Sequence, residues 1–443
     1  MAAAFLIAGL SGFCLAKENA TVFEAGKWVA RPSRELSDIQ NFQPAPEVKL
    51  DKYGGWLEKT EQATGFFHTA KIEGHWWLID PAGHFFLSVG INSAAQASAE
   101  STNETENGDP VVAVSGDSSK WGEQTLSMLR EHGFNTLGCW SDAKTLRQEP
   151  SPMPYCLRWN FMAGYRHERS TRASVWRKKN SAPGSEEAIY PFDPEFESFC
   201  EQHARGLEAT RNDPWLLGHF SDNELPLHEK GIVQRYLDYP SNDPCHEAAA
   251  KFMAARGHPG PATADDRDFL QLVVGEYYRK VAAAIKKHDP NHLFLGSRFH
   301  GRALASPALF AGAGPYTDIV SVNYYNRWTP ENDRIQNWAA LAGKPILITE
   351  WYAKAADSGL PNKTGAGFLV KTQGDRAKFY QNFTLTLLQN PGCVGWHWFK
   401  YRDGGASVNS GIVNATGMPY ASLLDAMKEI NTQVYPLTEI LRK

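Results

Sequence analysis

Pro345-Ile346-Leu347-Ile348-Thr349-Glu350-Trp351 is an apolar run that ends on a glutamate, and Leu216-Leu217-Gly218-His219-Phe220-Ser221-Asp222-Asn223-Glu224 repeats that pattern earlier in the chain. A short apolar run of this kind reads as a β-strand buried on both faces, as in a parallel sheet. Each glutamate then falls at or just beyond the C-terminal end of its strand. The stretch between them holds about three strand-plus-helix units, if eight such units take roughly 250 residues.

Outward from these two runs, strands and helices alternate. Strands are expected over 85–92, 135–140, 156–162, 215–220, 292–298, 318–325, 345–350 and 394–399. Helices are expected over 120–132, 194–210, 269–287, 374–389 and 420–431. The helix at 194 is announced by Asp193 as a cap with Pro194 in the first helical position. Alternation of this type predicts a parallel sheet with crossover helices. The fold class is therefore α/β, a (β/α)8 TIM barrel, with Glu224 after the fourth strand and Glu350 on the seventh. Residues 65–92 carry short aromatic runs separated by Gly and Pro turns, which read as an N-terminal β-hairpin lead-in closing the lower end. The expected organisation is a signal peptide over 1–16, an extended lead-in over 17–63, and the catalytic barrel with its hairpin over 64–443. The stretches 93–120, 164–191, 225–266 and 351–372 are expected to be long βα loops, and such loops shape a substrate cleft.

Composition narrows the function. The 443 residues are 42% hydrophobic and 21% charged, with a formal net charge of −4. That balance leaves no polybasic footprint for nucleic acid or a membrane surface. The apolar stretch 2–16 is shorter than the ~20 residues of a membrane span and reads as a signal peptide, which places the mature chain outside the cytoplasm, secreted or periplasmic. Six cysteines are scattered without a C-x-x-C pair, and five remain beyond the leader. No His-x-x-Glu-His, Gly-x-Ser-x-Gly or Gly-rich phosphate loop occurs. No metal and no cofactor is therefore expected.

Carboxylates and aromatics remain. Hydrolysis of a glycosidic bond with retention needs one carboxylic acid to protonate the departing oxygen and one carboxylate to attack the anomeric carbon. Glu224 suits the acid/base, and Glu350 the nucleophile, with Arg298 or Tyr324 to orient it. Tyr324 or Tyr325 reaches the nucleophile according to register.

Asn223-Glu224 and Thr349-Glu350-Trp351 resemble the two glutamate motifs of the retaining glycoside hydrolases of clan A. Within that clan, several stretches are similar to the β-agarases of glycoside hydrolase family 50 and their shorter relatives. They are Trp77-Leu78-Ile79-Asp80-Pro81-Ala82-Gly83-His84-Phe85-Phe86, Ser221-Asp222-Asn223-Glu224, Ala356-Asp357-Ser358-Gly359-Leu360, Thr372-Gln373-Gly374-Asp375-Arg376 and Gly395-Trp396-His397-Trp398-Phe399. The resemblance implies the same two roles for Glu224 and Glu350, and a contact from Asn223 to the sugar 2-hydroxyl. Strand alternation puts Trp396 and Trp398 on one face, and Trp398 is expected to floor the reacting sugar. Trp351, Asn92, Trp140, His300 and His397 lie at or near strand ends and are expected to touch sugar hydroxyls. The expected partner is an oligo- or polysaccharide, a β-linked galactan of the agarose type. The alternatives are another β-linked substrate (mannan, glucan, a simple β-galactoside) or a carbohydrate-binding barrel that cuts nothing.

Overall fold

Ile346–Glu350 forms a strand buried at every position, and it lies third from one edge of a nine-stranded parallel sheet. The computed structural model describes residues 19–96, 118–171, 188–258, 260–404 and 407–442. Edge to edge, the sheet runs Leu293–Phe294, Leu216–Phe220, Tyr155–Arg158, Thr136–Leu137, Ser88–Ile91, Cys393–Trp398, Ile346–Glu350, Val320–Asn323 and Phe299–His300. Its two edge strands belong to one chain segment. Between them, Leu295 N donates to His219 O (2.9 Å) and Asp318 N to Phe294 O (3.0 Å), so this segment hydrogen-bonds to both neighbours. Left-handed backbone at Gly296 and Arg298 splits what the sequence predicts as a single strand over 292–298. The architecture is mixed α/β, with this curled parallel sheet and two separate four-stranded sheets.

Alternation along the strands sets the site. Val320 and Val322 pack outward with Tyr324 into the layer of helices, whereas Ser321 and Asn323 face the inside of the curl. The same rule holds on Cys393–Trp398, where Trp396 and Trp398 join the outer layer and His397 points in. The helix Gln373–Gln389 covers this outer face with Phe379, Tyr380 and Phe383. It opens on a capping box, with Asp375 N donating to Thr372 Oγ1 and Thr372 N to Asp375 Oδ2.

The antiparallel sheet of Trp56–Thr60, His84–Phe86, His75–Ile79 and His68–Ile72 sits under the N-terminal ends of the parallel strands. There Tyr53, Phe67, Leu78 and Phe86 form one apolar cluster with Leu217, Leu293, Ile319, Leu347 and Val394. The other small sheet pairs the hairpin Asn19–Glu24 and Lys27–Pro32 with Phe368–Val370 and Ala353–Ala355.

Several boundaries differ from the sequence reading. The run 85–92 divides into His84–Phe86, which joins the lower sheet, and Ser88–Ile91, which joins the parallel one. The strand expected over 156–162 stops at Arg158, and Phe161–Ser170 is a helix. Asp222 accepts from Met162 N and Ala163 N at its start, supplying an N-terminal partner from a distant loop. The expected loop 225–266 contains the helices Ile232–Leu237 and Pro244–Ala254, and the next helix begins early, as Thr263–His288. The lead-in is a paired hairpin over Asn19–Pro32 rather than extended chain. The five cysteines from Cys139 to Cys393 are buried and form no disulfide with one another. The signal peptide expected over 1–16, and much of the loops 93–120 and 164–191, lie outside the described residues. Among the described residues no helix is long and apolar enough to cross a membrane.

Candidate active site

Glu350 and Glu224 line one cleft of about 650 Å³ at the C-terminal ends of the parallel strands. Their settings differ. Glu350 ends its strand with only 8% of its side chain exposed, while Glu224 stands on a loop with 29% exposed. Arg298 donates to Glu350 Oε1, and the Tyr325 hydroxyl to Oε2 (2.7 Å). Burial pushes the Glu350 carboxyl above the usual carboxylate range; Arg298 pulls against that, Glu224 adds to it, and Tyr325 opposes it. Both hydrogen bonds favour the charged form and fix the plane of the carboxylate.

Glu224 is held differently. Its backbone is left-handed (φ 53°), its amide donates to Ser297 O (3.2 Å), and Oε1 accepts from Asn323 Nδ2 (2.8 Å). His300 Nε2 lies 3.9 Å from its Oε2. Asn323 also reaches Asn223 Oδ1 (3.3 Å), which accepts from Arg298 Nε at 2.8 Å. Thr349 Oγ1 in turn donates to Asn323 Oδ1 (2.7 Å). One network therefore runs from Glu350 through Arg298, Asn223 and Asn323 to Glu224. Trp140, Arg298 and Asn326 share the left-handed backbone of Glu224, and each sits past the end of a parallel strand. Such conformations cost of order 1–3 kcal/mol each and collect where geometry must be held.

The remaining expected residues divide. His300 lines the cleft. Trp140 is half-buried beside it, with the Arg298 guanidinium 4.6 Å from its ring centre and Phe399 edge-on at 6.0 Å. Trp398 does not reach the cleft: it is fully buried, donates to Ser410 O (3.1 Å), and meets Trp351 edge-on at 5.0 Å. Trp351 stacks on Phe383 at 4.1 Å, also out of reach of a sugar. Both tryptophans face the helices because the inward positions on those strands go to His397 and Glu350. Tyr324 is among the residues lining the cleft, but its ring packs edge-on against Trp338 (5.2 Å), its hydroxyl donates to Glu331, and its amide donates to Glu350 O (2.8 Å). It is therefore Tyr325 that faces Glu350, the next inward position after Ser321 and Asn323 in the alternation along this strand.

Asn92 and His397 lie inside the curl, fully buried, beneath the cleft. Asn92 Nδ2 donates to Thr349 O (2.7 Å), and His397 Nε2 is 2.9 Å from Ser88 Oγ. Gly90 and Gly138 make room for them: a Cβ on Gly90 would lie 2.3 Å from His397, and one on Gly138 2.2 Å from Asn92. Burial, with the charge of Arg298, lowers the His397 pKa to about 3, so the ring is neutral.

Asn323, Tyr352 and Phe399 were not singled out in the sequence. Tyr352 and Phe399 provide the aromatic lining expected from Trp351 and Trp398, with ring centres 5.8 Å apart. The signal for Asn323 is the polar alternation Ser321, Asn323 inside an otherwise apolar strand.

No family model matches the chain. Among curated proteins it is similar to β-agarase B of Vibrio sp. (strain JT0107), 27% identical over 495 residues, covering 87% of this chain and 50% of that protein. β-Agarase A of the same organism is 25% identical over 530 residues, covering 94% and 51%. The chain thus spans about half the length of the curated relatives it matches. Among solved structures, one named BpGH50 superposes with a TM-score of 0.84 at 27% identity, over 96% of both chains. An exo-β-agarase structure superposes with a TM-score of 0.71 at 24% identity, over 91% of this chain and 69% of the other, a likeness of fold.

Proposed function

We propose that this chain is a glycoside hydrolase that cleaves β-galactosidic bonds of an agarose-like galactan with retention of configuration. The observation that carries the reading is the convergence of Glu224 and Glu350 on one cleft through a shared hydrogen-bond network. Glu350, ionised and oriented by Arg298 and Tyr325, attacks the anomeric carbon and forms the glycosyl-enzyme. Glu224, the more exposed carboxyl, gives its proton to the leaving oxygen, then takes one from the water that releases the sugar. A retaining enzyme needs its two carboxyl groups roughly 5–5.5 Å apart. Asn223 is tied through its carbonyl to Arg298, which leaves its amide NH2 to serve the sugar 2-hydroxyl.

The curled sheet is read as a (β/α)8 barrel in which the two edge pieces form one interrupted fifth strand. Its support is the segment 293–300, which hydrogen-bonds to both neighbouring strands. The galactan assignment rests on the likeness to two β-agarases. Export through the apolar stretch 2–16 suits a polymer too large to enter a cell, and N-terminal sequencing of the mature protein tests it.

The decisive experiment follows agaro-oligosaccharide hydrolysis by proton NMR from the first minutes. The β-anomer of the new reducing end should appear first and then mutarotate. Early α-anomer would overturn the double displacement. Absence of cleavage, with activity on mannan or glucan instead, would overturn the substrate.

A further inference from the structure

The lower end of the sheet, opposite the cleft, holds a cluster that the hydrolase reading does not use. Asp51 and Asp80 each commit one oxygen to their own turn. Asp51 Oδ1 accepts from Tyr53 N and Gly55 N (2.8 Å each), and Asp80 Oδ1 from Ala82 N (2.8 Å) and His84 N (3.0 Å). Their second oxygens both turn toward His84. Asp51 Oδ2 is 3.4 Å and Asp80 Oδ2 3.6 Å from His84 Nδ1, and the three atoms lie within 4.8 Å of one another. All three are buried without a hydrogen-bond partner, on carboxylates whose side chains are 8% and 0% exposed.

Buried polar atoms without partners are costly, and a buried charge more so. Three of them aimed at one point call for a ligand that satisfies all three together. We propose that Asp51, Asp80 and His84 bind a divalent transition cation, with Zn²⁺ as the best-fitting ion. Zinc takes carboxylate oxygen and imidazole nitrogen at about 2.0–2.2 Å, so neighbouring ligand atoms of a zinc tetrahedron stand about 3.3–3.5 Å apart. The two histidine–aspartate separations fall on or close to that edge. Two carboxylates supply the countercharge. Gly55 makes room for this carboxylate: a Cβ there would lie 1.9 Å from Asp80 Oδ2. Asp51 borders a second cavity of about 560 Å³, which offers a way in.

The other His/Asp cluster, His219, Asp289 and His292, does not share this property. There each ring nitrogen already has a partner: Trp159 Nε1 and Asp289 Oδ2 for His219, and Asp289 Oδ2 and Asp213 O for His292. The proposed ion is structural. It clips the loop at Asp51 to the turn 80–83, where Tyr435 already bonds Gly54 O (2.7 Å) and stacks on Trp56 at 5.4 Å.

The test uses the full chain, stripped with EDTA and then titrated with Zn²⁺ alone against a chromogenic chelator. One equivalent should bind, and Tm should rise by about 3 °C or more. Asp51→Asn and Asp80→Asn, which keep the turn acceptors, should each weaken binding at least tenfold, as should His84→Gln. X-ray absorption on the zinc-loaded wild type should show one imidazole among oxygen ligands, and this reading holds even if a variant fails to fold. Binding below one equivalent, unchanged affinity in the folded variants, or a shell with two imidazoles or none would overturn the proposal.

Discussion

On the strands beside the cleft, residues adjacent in sequence meet opposite worlds. Tyr324 is packed against Trp338 while Tyr325 donates to Glu350. Trp398 is sealed against Trp351 and Tyr380 while His397, one residue before it, points inside the curl. The inner positions are polar and joined by hydrogen bonds, and the outer ones are aromatic and joined by packing. A single step along a strand therefore changes what a substitution should damage: catalysis inside, stability outside.

The inner side should show the largest effect. Glu350→Gln keeps shape and removes the charge, so kcat should fall by about 10⁴-fold, ~5.5 kcal/mol of barrier, with circular dichroism and Tm close to wild type. Turnover within tenfold of wild type would end its assignment as nucleophile. On the outer side, Trp398→Ala leaves a large hole beside Trp351 and should cost about 3–5 kcal/mol of stability, read by denaturant unfolding. Its folded fraction should retain KM within a few-fold. If Trp398 were instead a sugar platform, KM would rise steeply while stability held.

The sequence reading found the two glutamates because each ends an apolar run, and that pattern reflects burial of both strand faces. It expected eight parallel strands, and the sheet has nine because the run 292–298 is split in two. It missed the orientation of Trp398 and Trp351 because alternation groups residues by face without saying which face meets helices. Tyr324 and Tyr325 were left open for the same reason; alternation from the inward Asn323 decides between them once that face is known. Phe161–Ser170 was hidden because its N-terminus is capped by Asp222, far along the chain. The network through Asn323 is likewise nonlocal, since its three partners lie at two other strand ends.

The paired tyrosines sharpen the comparison at smaller scale. Tyr325→Phe removes the donor to Glu350 and should lower kcat by about 10–100-fold, 1.4–2.7 kcal/mol of barrier. Tyr324→Phe removes only a hydroxyl bonded to Glu331 rather than to Glu224 or Glu350, and should stay within about twofold, since 0.4 kcal/mol is all that ratio represents. Equal losses in the two variants would erase the inner–outer distinction at this strand end.

The smallest effect concerns the inner layer without any chemistry. His397 is buried and neutral, its pKa lowered to about 3 by burial and by Arg298, whereas the unfolded chain binds a proton there near pH 6.5. The unfolded state therefore holds more protons between those values, and stability falls as pH drops through that window. Above about pH 6.5 the contribution is complete and flat. One such group changes stability by at most about 1.4 kcal/mol per pH unit. His397→Gln should flatten the acid limb by up to that slope between pH 6 and 4, in urea titrations at matched ionic strength. An unchanged slope would mean that the ring is protonated in the folded state, and the inner layer would then be charged rather than merely polar.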